Sequence, residues 1–205
     1  MPYGNTDVFV LYAARGEADI GTPLYPPERY REVMTCKNEK AGREKYLVWK
    51  LLEKATRECL NLDFDNIKFT KKPNGQWVCP DFYFSLSHAD GALCVAVSDA
   101  PVGVDIEKIR ILKDGIAKRF LTERELERWR LLPEDERCDF LLRSWVKKES
   151  DFKMRGGVSL MPVSAETLDS DVFISELVIL GEKYLLSVST ESENKMIEIR
   201  FTEEI

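Results

Sequence analysis

The sequence predicts an α+β fold of two similar lobes, each a small antiparallel sheet packed with helices. Two observations carry this. Each half has a β-prone run with alternating serines, Ser85/Ser87 and Ser187/Ser189, and each half has helical stretches whose apolar residues recur at three and four. The serine patterns lie 102 residues apart (187 − 85), about half of a 205-residue chain, which fits two related lobes. Serine alternating with apolar residues is common in antiparallel hairpins, so the repeat alone leaves duplication open. At 44% hydrophobic and 32% charged, the chain can bury a substantial core and is not expected to be disordered.

Each element has its own signal. Val8-Phe9-Val10-Leu11-Tyr12-Ala13-Ala14 is too short to span a bilayer and has no basic segment before it, so it reads as a buried first strand of a cytoplasmic protein. Residues 15–27 are rich in glycine and proline, with Pro27 suited to the first turn of a helix. From Arg43 to Leu60 the apolar residues follow an amphipathic helix. Asn74-Gly75 marks a turn before extended Gln76-Trp77-Val78. Residues 82–88 and 92–98 flank Ala89-Asp90-Gly91 as a hairpin. Ile116 to Leu131 predicts one helix and Glu134 to about Met154 another, stopped by Gly156-Gly157. Residues 184–190 and 196–201 predict a second hairpin.

Composition excludes several chemistries. Five cysteines without a Cys-x-x-Cys pair indicate neither a disulfide framework nor a thiolate zinc site. His88 is the only histidine, so any site needing two imidazoles is ruled out. A net charge of −6 argues against general nucleic-acid binding.

The carboxylates point elsewhere. If residues 102–107 are extended, Val102, Val104 and Ile106 share one face and Gly103, Asp105 and Glu107 the other. Two acids roughly 6.5–7 Å apart along a strand repel each other, which suggests a hard divalent cation, Mg²⁺. On the helix from Glu134, the order Leu142, Trp145, Glu149, Phe152 puts a carboxylate inside an apolar stripe. Such a group needs a partner: a salt bridge to Lys153 or to an arginine elsewhere, or a place beside Asp105 and Glu107 at a metal. Thr122-Glu123-Arg124-Glu125 is a capping box, leaving Glu125 as an auxiliary metal group at most. Lys148 and Lys153 flank Glu149, and with Lys72 and His88 they could bind a polyanion, although exposed lysines are ordinarily only solvated.

In order and spacing, Phe84-Ser85-Leu86-Ser87-His88, Val102-Gly103-Val104-Asp105-Ile106-Glu107, Phe120-Leu121-Thr122-Glu123-Arg124-Glu125 and Trp145-Val146-Lys147-Lys148-Glu149-Ser150-Asp151-Phe152-Lys153 with Gly156 resemble the 4′-phosphopantetheinyl transferases of the Sfp type. The resemblance covers about residues 70–160. Lys71-Lys72-Pro73 looks like the family's Gly-Lys-Pro element with lysine in place of glycine, and Ala89 stands where a serine often follows Ser-His. The resemblance implies a pseudo-twofold, monomeric protein with an N-terminal lobe over 1–100, a C-terminal lobe over 101–205, and an active site between them. It implies Asp105, Glu107 and Glu149 as the Mg²⁺ acids and Lys148 and Lys153 as cations on the diphosphate of coenzyme A. Ser87, His88, Lys72 and Arg43 would contact coenzyme A, including its 3′-phosphate. Glu149 and Lys153 would be catalytic, with Glu149 taking the acceptor serine's proton directly or through a water. The implied reaction moves phosphopantetheine from coenzyme A to a serine of an apo acyl or peptidyl carrier protein and releases adenosine 3′,5′-bisphosphate. Lys108 to Arg119, with five cations and one acid among isoleucines and a leucine, suits an acidic carrier helix or a solvated linker. The alternatives are a Mg²⁺-dependent nucleotide or phosphoester hydrolase and a non-catalytic carrier-binding module.

Overall fold

A strand that is apolar on both faces needs cover on both, and β1 (Val8–Ala14) has it. In the computed structural model, which describes residues 8–16, 20–157, 171–191, 195–203 and 205, Phe9, Leu11 and Ala13 pack toward the helix α2 (Glu39–Leu60). Val8 and Val10 pack the other way, against Val104, Ile106, Leu186 and Val188 of a second sheet. Both cores therefore share this strand. α1 (Pro27–Met34) starts at Pro27 as expected, and α2 starts at an Asn38 cap whose side chain accepts from the Ala41 N–H. β2 (Thr70–Lys71) and β3 (Trp77–Val78) form a small hairpin over the Asn74-Gly75 turn, where Gly75 has φ +94°.

The first large sheet has the order β4-β5-β1-β9, with β4 (Tyr83–Ala89) and β5 (Ala92–Ser98) forming the predicted hairpin across Asp90-Gly91. The second has the order β6-β8-β7, from β6 (Val102–Lys108), β7 (Asp171–Ile179) and β8 (Glu182–Thr190). β8 lies antiparallel to both neighbours, Asp105 facing Ser187 and Gly103 facing Ser189. The last strand, β9 (Ile197–Thr202), corrects the second predicted hairpin. It runs parallel to β1 in the first sheet, Val8 facing Ile197, while β8 turns instead on β7 through Leu180-Gly181. β8 is buried on both faces for most of its length and needs a strand on each side, a demand its own pattern does not address to a particular partner.

The expected helix from Ile116 to Leu131 is broken into α3 (Ala117–Phe120) and α4 (Glu123–Leu131). The reason is the capping box: Thr122 adopts extended backbone to cap α4, so the preceding helix must stop. α5 (Glu134–Met154) follows its expected bounds and ends before Gly156, which has φ +85°. Its Leu142 and Val146 pack on Leu185 of β8. The protein is thus α+β as predicted, with α2 and α5 outside and the two sheets between them. No helix among the described residues is long and apolar enough to cross a membrane.

Candidate active site

The two-residue period of β6 directs Val104 and Ile106 into the shared core and leaves Gly103, Asp105 and Glu107 for α5. Gly103 makes the approach possible. A Cβ there would lie 1.8 Å from the Ser150 carbonyl oxygen and 2.6 Å from the Met154 nitrogen, so the helix backbone rests where a side chain would be. That contact brings Glu149 and Lys153 beside Asp105 and Glu107.

On the opposite edge of β6, β4 meets the strand through serine hydroxyls. The Val104 N–H donates to Ser85 Oγ (3.0 Å) and the Ile106 N–H to Ser87 Oγ (3.2 Å). Ser87 Oγ also donates to Asp105 Oδ1 (2.8 Å), and Lys153 Nζ reaches Ser87 Oγ (3.0 Å), the Val104 carbonyl (3.2 Å) and Asp105 Oδ1 (2.6 Å). Glu107 Oε1 accepts from the Trp145 indole N–H at 3.1 Å. A cleft of about 310 Å³ opens over these groups, lined by Ser87, His88, Asp105, Glu107, Glu149 and Lys153 together with Trp145 and Phe152.

Its electrostatics are those of crowded acids. Burial pushes the Glu149 carboxyl up to about 7; Lys153 works against this, while Asp105 and Glu107 add to it. Burial and then Asp105 also raise Glu107, with Trp145 opposing. His88 is held below its ordinary value by burial, against the pull of Glu44, whose Oε2 lies 3.5 Å from Nδ1. Its ring is therefore mostly neutral near pH 7.

The other anticipated residues fall in different places. Lys72 lines a neighbouring cleft of about 490 Å³ that shares Lys153, and its Nζ donates to Gln76 Oε1 at 3.1 Å. Arg43 pairs with Glu39 at 3.2 Å and lines a recess with Arg15 and Lys40; Lys40 also borders a smaller recess reaching His88 and Glu107. Lys148 is the correction. It is 1% exposed and does not line the acid cleft, because α5 turns it into the protein, where Nζ donates to the Phe120 carbonyl (3.0 Å) and Glu125 Oε2 (2.6 Å). Glu125 Oε2 also accepts from the Thr122 N–H at 2.7 Å, so Glu125 is both cap and counter-ion to Lys148. Sequence reasoning missed Ser85, Gly103, Glu44 and the polar role of Trp145. Two had a readable signal: Ser85 shares Ser87's strand face, and a glycine on the acid face of a strand marks close approach.

Among the described residues, no three Asp, Glu, His or Cys side chains converge closely enough to hold a metal ion unaided. Asp105, Glu107 and Glu149 line one cleft, yet Asp105 and Glu107 each give an oxygen to a protein donor. Two buried oxygens there, Asp105 Oδ2 and Glu149 Oε1, have no hydrogen-bond partner. Unpartnered buried carboxylate oxygens beside a third carboxylate form an all-oxygen donor set, which fits a hard divalent cation.

Residues 101–198 match the family model described as the 4′-phosphopantetheinyl transferase superfamily. Similar proteins include the 4′-phosphopantetheinyl transferase psf-1 of Bacillus pumilus, 31% identical over 64% of this chain and 56% of its own length. The 4′-phosphopantetheinyl transferase Sfp of Bacillus subtilis is 34% identical over 48% of this chain and 46% of its own. The 4′-phosphopantetheinyl transferase HetI of a Nostoc species is 31% identical over 47% and 45%. The chain spans about half the length of the relatives it matches. Residues 101–198, the stretch similar to the 4′-phosphopantetheinyl transferase superfamily, carry Asp105, Glu107, Glu149 and Lys153.

Proposed function

We propose that the protein transfers the 4′-phosphopantetheine arm of coenzyme A to a serine of an apo acyl or peptidyl carrier protein in a Mg²⁺-dependent reaction. The observation that carries this is the cleft in which Asp105, Glu107 and Glu149 lie beside Lys153, within a stretch that matches the transferase family. The serine oxygen bonds to the phosphorus bearing the pantetheine arm, the bond from that phosphorus to the bridging oxygen breaks, and adenosine 3′,5′-bisphosphate leaves. Glu149 takes the serine proton. Lys153 supplies positive charge to the diphosphate as charge builds on the leaving group. Asp105, Glu107 and Glu149 would hold Mg²⁺, which when bound supplies Lewis acidity to the diphosphate. Lys72 in the neighbouring cleft that shares Lys153, Arg43 in the recess beside Lys40, and His88 in the acid cleft are the residues we assign to the nucleotide end of coenzyme A.

For the carrier, Ile111 is 92% exposed between Arg110 and Lys113, an apolar anchor framed by cations. An acidic carrier helix fits that combination, with the charges steering encounter. The test is to incubate the protein with coenzyme A, Mg²⁺ and apo carrier protein and weigh the carrier. A mass increase of one phosphopantetheine supports transfer. Hydrolysis of coenzyme A with an unmodified carrier overturns it in favour of a hydrolase, and binding without chemistry leaves a carrier-binding module.

A further inference from the structure

Ser87 has no hydroxyl capacity left for a substrate. The residue is 4% exposed, and its oxygen accepts from the Ile106 N–H and from Lys153 Nζ while its one proton goes to Asp105 Oδ1. We propose that Ser87 is a positioning residue: it fixes Asp105 Oδ1 and Lys153 Nζ against the edge of β6, so that Asp105 Oδ2 is left as the oxygen offered to the cation. This rests on the metal-dependent reading above and sharpens it.

The geometry has three parts. Ile106 N holds Ser87 Oγ at 3.2 Å, which ties the hydroxyl to the backbone of the strand that carries Asp105. Lys153 and Ser87 both engage the same oxygen of Asp105, at 2.6 and 2.8 Å, while the other oxygen is buried and unpartnered. A carboxylate with one oxygen held twice and the other free cannot rotate without breaking charge-assisted hydrogen bonds. Partners that orient a ligating carboxylate in this way commonly set metal affinity. Ser85 provides an internal comparison. It holds Val104 N across the same seam at 3.0 Å but makes no hydrogen bond to Asp105 or Lys153.

The experiment titrates Mn²⁺, in place of Mg²⁺, into the protein without coenzyme A, reading free Mn²⁺ by electron paramagnetic resonance, with Tm and steady-state kinetics alongside. Ser87→Ala is expected to weaken Mn²⁺ binding about tenfold and to lower kcat, while KM for coenzyme A at saturating metal stays within about twofold, as for a group that does not touch the substrate. Ser85→Ala is expected to lower Tm by a similar amount and leave Mn²⁺ affinity unchanged. Unchanged Mn²⁺ affinity in Ser87→Ala with a raised KM for coenzyme A overturns the proposal and makes Ser87 a substrate contact. Equal loss of Mn²⁺ affinity in Ser85→Ala also overturns it, by reducing the effect to damage at the seam. Should Ser87→Ala not fold, Ser87→Cys, which keeps the volume with a weak hydrogen-bonding group, is read by the same criteria. Wild-type protein that binds no Mn²⁺ overturns the proposal together with the metal-dependent reading; binding that Ser87→Ala leaves intact overturns the proposal alone.

Discussion

Lys148 and Lys153 stand five residues apart on one helix, and the protein uses them in opposite ways. Lys153 keeps 24% of its side chain exposed and reaches Asp105 and Ser87 at the edge of the cleft. Lys148 is buried in an ion pair with Glu125 at 2.6 Å, tying α5 to the cap of α4. Five residues correspond to about 140° around a helix, so a basic pair that looks like one cluster in the sequence points two ways in the fold. Proximity along the chain does not make a site; the shared face does. Glu149 and Lys153, four residues apart, share one.

The largest effect is expected where a buried charge loses its partner. Lys148→Met should destabilise the protein by roughly 3 kcal/mol or more, a fall in Tm of about 10 °C for a chain of this size, with little change in KM for coenzyme A in whatever remains folded. A variant that melts normally but shows a raised KM would return Lys148 to the substrate site and erase the contrast. Lys153→Met should act mainly on turnover: Tm falls as well, because buried Asp105 loses its cation, but in the protein that remains folded kcat should be lower by about 10²–10³-fold. Glu149→Gln should lower transfer on a similar scale, and near-normal turnover with bound Mg²⁺ would remove Glu149 as both proton acceptor and essential ligand.

A smaller effect is expected from the docking segment. Charge reversal at Lys113 and Lys118 should raise KM for the carrier by about tenfold at low salt and leave KM for coenzyme A alone; unchanged carrier kinetics would place docking elsewhere. The smallest effect comes from an ion pair outside the acid cleft. Partial burial pushes the Glu32 carboxyl up, yet the Trp77 N–H, Arg29 and Lys71 outweigh it and bring it down to about 2. A depressed carboxylate stabilises the fold above its ordinary value of 4.5, and that contribution disappears as pH falls from 4.5 toward 2. The difference in denaturant midpoint between wild type and Glu32→Gln should therefore shrink across that window. A constant difference would mean the carboxylate contributes by packing alone.

Much of this was legible in the sequence, and the failures have physical causes. The β4–β5 hairpin, β1, α2 and α5 follow from periodicity and turn residues because each is defined by its own neighbours along the chain. Asp105, Glu107, Glu149 and Lys153 line one cleft for the same reason: strand and helix periods fix their faces. Lys148 was misplaced although the helical period already separated it from Lys153. The partner of β8 was less accessible, because a strand buried on both faces asks for neighbours without naming them, and β7 and β9 carry comparable alternation. Ser87 was expected at the ligand, but its hydroxyl is used up by groups 18, 19 and 66 residues away, a convergence that only the fold reveals.

The parallel pairing of β1 with β9 has a consequence for how the chain comes off the ribosome. Strand 8–14 is synthesised before β5 and can pair with it early, but its other edge is not covered until residues 197–202 have emerged. Throughout synthesis of the residues between β5 and β9, the nascent β4-β5-β1 sheet carries an edge that its own later strand has yet to cover, an opening for wrong partners. Ribosome-arrested chains ending near residue 190 should thus be protease-sensitive and prone to associate, and emergence of residues 197–202 should abolish both.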